Sequence, residues 1–235
     1  MMVGKGINYI DVDIPSDTYD TEKDMPTIKA YLIAIVRDST GKVIKVHKQR
    51  SHSPTANFIG LLLPLTWFNN AKSPVTITNI AGGTCSYEPG MGGGPQDISY
   101  PSNNSNAILP TCLAMIQVGS GSQPNPSSAT SLAAPIANGS GSGQLIYGPI
   151  TIPNTIFVSG SSAYFYIIQT YSNQSGTTIT ITEVGIVLQL YIQTYYNTSN
   201  TNCGQVLMWY DALSSSVSIP NGGGLTLYYT FTVNP

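Results

Sequence analysis

The last two thirds of the chain alternate between short runs of β-branched and aromatic residues and loops of Gly, Pro, Ser and Asn. In one such run Ile179 and Ile181 alternate with Thr178, Thr180 and Thr182, which is the period of a strand with one buried face. Loops of this composition are typical of turns between strands. The pattern predicts strands near residues 74–80, 111–118, 144–150, 155–158, 162–171, 177–192, 204–210, 215–219 and 224–233.

The first third of the chain is organised differently. Residues 1–26 are polar and charged, and we expect them to form an extended N-terminal arm. Residues 27–50 are predicted to form an edge hairpin, because Asp38-Ser-Thr-Gly41 supplies turn residues between two β-type runs. Apolar residues then recur at three- and four-residue steps near 54–68, which predicts a helix.

Together these elements predict an all-β protein. We expect residues 27–235 to form an antiparallel β-sandwich of jelly-roll type, with the N-terminal extended arm and one short helix added to it. Two segments are predicted to be hairpin turns between consecutive strands, Tyr171-Ser-Asn-Gln-Ser-Gly176 and Pro220-Asn-Gly-Gly223.

Charged residues are few and unevenly placed. They make up 9% of the chain, against about 25% in an ordinary soluble domain. All nine Lys and Arg lie between Lys5 and Lys72, so residues 73–235 contain no basic side chain and only four acidic ones. A surface of neutral polar groups responds little to pH and salt, which suits a protein exposed to harsh conditions outside a cell.

Five residues of the predicted hairpin form a candidate basic contact surface, Lys42, Lys45, His47, Lys48 and Arg50. Their charge would give salt-dependent affinity for packaged nucleic acid or an inner membrane, and we expect the surface to face inward in an assembly. Val and Ile alternate with these residues, so the solvated face of an edge hairpin is an equally good interpretation.

Four Asn-X-Ser sequons fall in predicted loops and are candidate glycosylation sites, at Asn103, Asn138, Asn173 and Asn197. All four lie in the neutral part of the chain, which we expect to face outward. Several tyrosine-rich segments offer rings that stack on sugars, although half-buried packing is the favoured interpretation of tyrosines in strands.

The three cysteines, Cys85, Cys112 and Cys203, have no metal-ligand spacing. Buried free thiols are the favoured interpretation. The alternative is one disulfide with one thiol left over, and the sequence does not choose the pair.

Candidate chemistry is sparse. His47 and His52 have no acid or thiol between Asp38 and Cys85 as a partner, and no nucleophile, base and orienting residue can be combined. The sequence therefore predicts no enzymatic activity, no cofactor and no metal site.

Three segments carry a resemblance to known proteins, Lys48–Phe58, Asn173–Gly185 and Asp211–Val233. They resemble β-rich virion proteins, and the whole chain is similar in style to structural proteins of viruses that infect hyperthermophilic archaea. The resemblance rests on strand and turn patterns. It implies a jelly-roll structural role and carries over no functional residues.

The expected function is that of a virion structural protein that self-assembles into or decorates a particle, as capsid shell, vertex, turret or tail, and that contributes to host attachment. The first ten residues lack the apolar run of a signal peptide, so we expect assembly in the host cytoplasm and exposure on the particle exterior. Expected partners are copies of the chain, other virion proteins and host surface glycans. Two alternatives stay open: a subunit of an extracellular filament assembled by strand donation, and a secreted carbohydrate-binding module.

Overall fold

A computed structural model of the chain describes residues 27–51, 53–62, 75–87, 114–153, 155–194 and 197–234. The predicted arm 1–26 and the second part of the predicted helix, 63–68, lie outside these residues. The strands and the helix are β1 Thr27–Arg37, β2 Val43–Ser51, α1 Ala56–Leu62, β3 Val75–Thr78, β4 Thr84–Tyr87, β5 Ala114–Gly119, β6 Ile146–Thr151, β7 Phe157–Ser159, β8 Ser162–Ser172, β9 Ile179–Thr194, β10 Asn197–Ile219 and β11 Gly224–Asn234.

The strands form antiparallel sheets, which confirms the all-β class. The six-stranded sheet has the order β2-β1-β11-β8-β6, with β7 also paired to β8. The three-stranded sheet has the order β10-β9-β5, and β3 and β4 form a separate hairpin. The predicted hairpin of β1 and β2 is present, and β2 is an edge strand as expected.

Buried side chains from both sheets form one hydrophobic core. Leu32 and Val36 of β1 and Leu227 of β11 belong to it, together with Ile181 of β9 and Val217 of β10. In each strand these residues alternate with more exposed ones over part of its length, because successive side chains of a strand point to opposite faces. The inner face of the six-stranded sheet is therefore covered, and its other face is the outer face.

The two predicted hairpin turns connect different sheets instead. β8 belongs to the six-stranded sheet and β9 to the three-stranded one, and the chain crosses back between β10 and β11. The prediction that these turns join paired strands is therefore wrong. Both crossings are held by Asn173, whose side-chain amide is fully buried and donates to the carbonyls of Thr177 and Ile219 at 2.8 Å each.

The two crossings are also bonded to each other through the backbone. The N–H of Asn173 donates to the carbonyl of Gly223 at 2.9 Å, and the N–H of Gly222 donates to the carbonyl of Asn173 at 2.7 Å. Gly222 has a φ of 76°, a left-handed conformation that glycine adopts at little cost. One corner of the molecule is thus a single hydrogen-bonded unit.

The predicted strands near 204–210 and 215–219 are one continuous strand, β10, with a register shift between Ala212 and Val217. β4, which pairs with β3 through Ile77 and Cys85, was not predicted. The helix begins at Ala56 and its described part ends at Leu62.

The loop after β5 is held over the three-stranded sheet by one buried carboxylate. Glu183 of β9 is 0% exposed and accepts hydrogen bonds from the N–H groups of Gly121 at 3.2 Å, Ala133 at 3.0 Å and Ala134 at 2.7 Å. The phenol of Tyr210 donates to the same carboxylate at 3.1 Å. Four donors satisfy a charge that would otherwise be costly to bury.

Cys85 of β4 and Cys203 of β10 form a disulfide, with Cα atoms 5.7 Å apart. The favoured expectation of free thiols is wrong for these two residues, and the alternative of one disulfide is confirmed for them. Cys112 lies outside the described residues. The disulfide attaches the β3–β4 hairpin to β10 beside a small apolar cluster that includes Ile77 and Met208.

Candidate contact surfaces

The predicted basic surface is divided between the two faces of β2. Lys45 and His47 point towards the three-stranded sheet, whereas Lys48 and Arg50 lie on the outer face, since side chains alternate along a strand. Lys42 lies in the turn before β2. The five residues therefore do not form one surface. The face on which each of them lies is set by the pairing of the strands, and the pattern of charges in the sequence does not indicate that pairing.

The inward-facing group connects β2 to β10. His47 is 8% exposed; its Nε2 is 2.8 Å from Oε1 of Gln49, and its Nδ1 is 3.2 Å from the hydroxyl of Ser215. Because an amide oxygen only accepts, Nε2 donates to Gln49. The Lys45 ammonium donates to the carbonyl of Ser216 at 2.6 Å. The prediction of an exposed contact role is wrong for His47, because the imidazole is buried by its β10 partners.

The outward-facing group belongs to a sheet that has no acidic residue. The six strands of this sheet contain Lys29, Arg37, Lys45, Lys48 and Arg50 and neither Asp nor Glu. By the register of β1 and β2, Arg50 lies opposite Tyr31 and Lys48 lies opposite Ile33. Positive charge on this sheet is therefore not balanced by acidic side chains of its own strands.

Tyrosines also lie on the outer face of the six-stranded sheet, in the rows of residues that are paired across its strands. Tyr31 is opposite Thr230 of β11, which is opposite Tyr166 of β8, and Ile33 is opposite Tyr228. At the far side Phe157 of β7 stacks on Tyr166, with ring centroids 5.6 Å apart and planes inclined by 12°. Both rings are partly exposed, so the pair offers aromatic surface for stacking.

Both edges of the six-stranded sheet expose apolar side chains. On β2, Ile44 and Val46 are each 50% exposed. On the opposite edge, formed by β6 and β7, Val158 of β7 is 74% exposed, and Ile156, directly before β7, is 65% exposed. Exposed apolar edge strands are templates for pairing with a further chain.

The turn between β1 and β2 is rigidified by Asp38. Its Oδ1 accepts from the hydroxyl of Thr40 at 2.6 Å and from the N–H groups of Thr40 at 2.9 Å and Lys42 at 3.1 Å. These bonds stabilise the carboxylate and hold the pKa of Asp38 below its ordinary value, the Thr40 hydroxyl being the largest cause. Asp38 therefore acts as a turn residue, in agreement with its predicted place.

The sequons have different environments. Asn138 is exposed, and its Oδ1 accepts from the N–H of Tyr147 at 3.0 Å. Asn173 is buried with its amide nitrogen bonded twice, so the folded chain has no room for a glycan there, and the prediction is wrong at this site. Asn197 is the first residue of β10 and does not lie in a loop. Asn103 lies outside the described residues.

A buried polar cluster lies between the two sheets. The indole of Trp209 donates to the hydroxyl of Ser51, which donates to the carboxylate of Asp211. The phenol of Tyr229 donates to the same carboxylate at 2.7 Å. The cluster joins residues of β2, β10 and β11 by hydrogen bonds and so links the two sheets.

Among the described residues there is no group of three or more His, Cys, Asp or Glu that could hold a metal ion. The helix that the structure describes is too short to cross a membrane. Comparison of the chain with protein-family models, with curated proteins and with solved structures found no match.

Sequence reasoning missed the outward-facing members of β1 and β11, in particular Lys29, Tyr31 and Tyr228. Lys29 and Tyr31 could have been identified from their alternate positions along the strand. They alternate with Ala30 and Leu32, which are almost fully buried. The partner strand β11 lies too far along the chain for any local pattern to indicate it.

Proposed function

We propose that the chain is a virion structural protein that self-assembles into or decorates a viral particle, as a shell, vertex, turret or tail component. The observation that carries this proposal is the presence of exposed apolar side chains on both edges of one sheet. A subunit with two such edges can pair with one neighbour at each edge and so extend an assembly.

The finer fold that we propose is a β-sandwich of jelly-roll type. It is supported by two antiparallel sheets that share one core and by chain crossings between them at a common corner. The N-terminal arm, residues 1–26, is proposed to be ordered by a neighbouring subunit.

The proposed location is the particle exterior after assembly in the host cytoplasm, and the part of the neutral residues 73–235 that lies outside the six-stranded sheet is proposed to face out. Glycans at Asn138 and attachment to host glycans are consistent with such a face. The Cys85–Cys203 disulfide is compatible with an exposed protein, and also with the cytoplasm of a hyperthermophilic host, where disulfides are common. Packaged nucleic acid or an inner membrane is the proposed partner of the basic strands.

The experiment is a test of the edges. The double change Ile156→Lys and Val158→Lys puts two charges on the β6–β7 edge and is expected to abolish assembly, measured by light scattering and electron microscopy. The matched control is Val233→Lys, since Val233 is 41% exposed but lies on the central strand β11. Normal particles from the double variant would overturn the proposal.

The second candidate is an extracellular filament subunit. It is favoured by β2, which has one paired neighbour, β1, among the described strands, because strand donation needs an unpaired edge. Imaging separates the two functions. Closed particles or capping structures support the virion role, whereas unbranched polymers of indefinite length support the filament.

A further inference from the structure

Cationic and aromatic side chains share one end of the outer face of the six-stranded sheet. Lys48 and Arg50 are two residues apart on β2, so their Cα atoms are separated by about 7 Å along the strand. Tyr31 lies directly opposite Arg50, and Lys29 is the next outward residue of β1 beyond it. The positive groups therefore border the tyrosines on the same surface.

The aromatic part of this surface extends away from the cations across three strands. Tyr31, Tyr166 and Tyr228 belong to β1, β8 and β11, and each has an intermediate exposure. Tyr31 and Tyr166 share one row with Thr230 between them, and Tyr228 lies in the next outward row. Because neighbouring strands are about 4.8 Å apart, the Cα atoms of the three tyrosines lie within about 10 Å of one another, a spacing that one flexible single strand can span. Rings held in strands lose little conformational freedom when a planar ligand stacks on them.

We propose that this surface, defined by Lys29, Lys48, Arg50, Tyr31, Tyr166 and Tyr228, binds single-stranded nucleic acid. The cations would contact phosphates, and the tyrosines would stack on bases. A charged groove beside aromatic side chains is the general means by which proteins bind single strands without sequence preference. The proposal rests on the proposed function. It assigns the contact with packaged nucleic acid to the outer face of the six-stranded sheet and to single strands.

The charges favour a polyanion over the same face of a second copy of the chain as the occupant. The strands of this sheet carry no acidic residue, so two such faces would repel each other. A lipid surface would satisfy the cations but would leave the tyrosines without planar partners, and a sulfated polysaccharide is distinguished from a nucleic acid by the heparin probe described below. A duplex hides its base faces, so a single strand uses both kinds of side chain.

Binding would be measured with the full chain and a fluorescent oligothymidylate of about 15 nucleotides. We expect a slope of about −2 in a plot of log K against log salt concentration, because each of the three cations contacts one phosphate and each contact contributes about −0.7 to the slope. Removing two charges with Lys48→Ala and Arg50→Ala should reduce the magnitude of this slope by about 1.4. The variant Tyr228→Ser should weaken binding by about 5- to 100-fold through lost stacking.

The matched control is Lys45→Ala, which removes one charge from the same strand but from its inward face. It should leave both the dissociation constant and the salt slope unchanged. If Lys45→Ala and Lys48→Ala weaken binding equally, the affinity is unspecific attraction to positive charge and the proposal is overturned. Circular dichroism and thermal melts of each variant establish that the chain is folded.

Three further probes separate the ligand classes, namely an abasic strand of the same length, heparin, and vesicles containing anionic lipid. Oligothymidylate should bind at least tenfold more tightly than the abasic strand, since stacking needs bases. Equal binding of the two strands, or binding of heparin or vesicles alone, would overturn the proposal. The Ile156→Lys and Val158→Lys variant should bind normally, so failure of assembly and failure of nucleic-acid binding are distinguishable.

Discussion

The phenol of Tyr229 donates a hydrogen bond of 2.7 Å to the carboxylate of Asp211, and this bond joins the two sheets across the core. Tyr229 is 0% exposed and Asp211 is 3% exposed. A buried carboxylate is stable only when it is hydrogen-bonded, so each partner of Asp211 contributes to the free energy of unfolding. The apolar core on either side makes water a poor replacement for a lost partner.

Replacing Tyr229 with Phe is expected to lower the free energy of unfolding by about 1.5–3 kcal/mol, the contribution of a hydrogen bond to a charged group. The control is Tyr228→Phe at the neighbouring position, where the side chain faces outward and the change should stay within about 0.5 kcal/mol. Urea unfolding followed by circular dichroism measures both. Equal effects of the two variants would contradict the assignment of Tyr229 to the inter-sheet link.

Replacing Glu183 with Gln is expected to release the loop between β5 and β6. One side-chain oxygen becomes an NH₂ group that cannot accept from the N–H groups now bonded to it, at a cost of about 2–4 kcal/mol. Hydrogen exchange should become faster at Ala133 and Ala134. Thr180→Val, on the exposed side of the same strand, should leave exchange in this loop unchanged; unaltered exchange in Glu183→Gln would refute the prediction.

Replacing Asn173 with Ala is expected to destabilise the corner where the chain crosses between sheets. The variant leaves the carbonyls of Thr177 and Ile219 without their buried donor, which costs about 2–4 kcal/mol. The adjacent exposed Gln174→Ala is the control, with an expected change within about 0.5 kcal/mol. Thermal melts of the two proteins give the comparison, and a stable Asn173→Ala protein would show that the corner does not depend on this side chain.

Alkaline pH is expected to unfold the chain through its buried tyrosines. Burial is the main cause that raises the pKa of Tyr171 and Tyr229 well above the ordinary value, and the charge of Asp211 adds to the effect at Tyr229. A raised folded-state pKa stabilises the fold below the unfolded pKa of about 10, and this contribution is lost as pH rises through the folded value. The urea midpoint should therefore be steady to about pH 9 and fall above about pH 10.

Ultraviolet absorbance of phenolate, recorded together with circular dichroism, tests this directly. Part of the absorbance change should coincide with loss of secondary structure. Reversible ionisation of every tyrosine in the folded chain would contradict the prediction.

Removing the disulfide with Cys85→Ala and Cys203→Ala is expected to lower the free energy of unfolding by about 2–5 kcal/mol. The matched control is Cys112→Ala, which should leave the linkage intact in peptide mapping of the unreduced protein. Detection of a linkage that involves Cys112 in the unaltered chain would show the pairing to be wrong.

Local pattern was sufficient for most of the strands, although not for β4, and it was not sufficient for their pairing. Ile179 and Ile181 alternate with threonines, and this alone identifies a half-buried strand. Residues 171–176 and 220–223, by contrast, contain turn residues that serve a hairpin and a crossing between sheets equally well. Whether a hairpin or a crossing forms depends on the burial of Asn173. The burial of Asn173 in turn depends on Ile219, which is distant in the sequence.

The candidate surface shows the same division. The charges of Lys48 and Arg50 were predicted to be accessible, and they lie on the outer face. The burial of His47 was not predicted, because Ser215 of β10, which packs against it, is 168 positions away. Polar residues are buried wherever distant strands supply partners, and a single sequence does not show those partners.

The pairing of β1 with β11 has a consequence for biosynthesis. Ala30 lies opposite Phe231, and even the closest pair, Arg37 and Gly224, is separated by 187 positions (224 − 37). At about 5–20 residues per second, a ribosome needs roughly 10–40 s to make the partner after β1 has emerged. During that time β1 has only β2 as a partner, and its other edge stays open on the nascent chain, so the yield of folded protein in a host is expected to depend on the supply of chaperones.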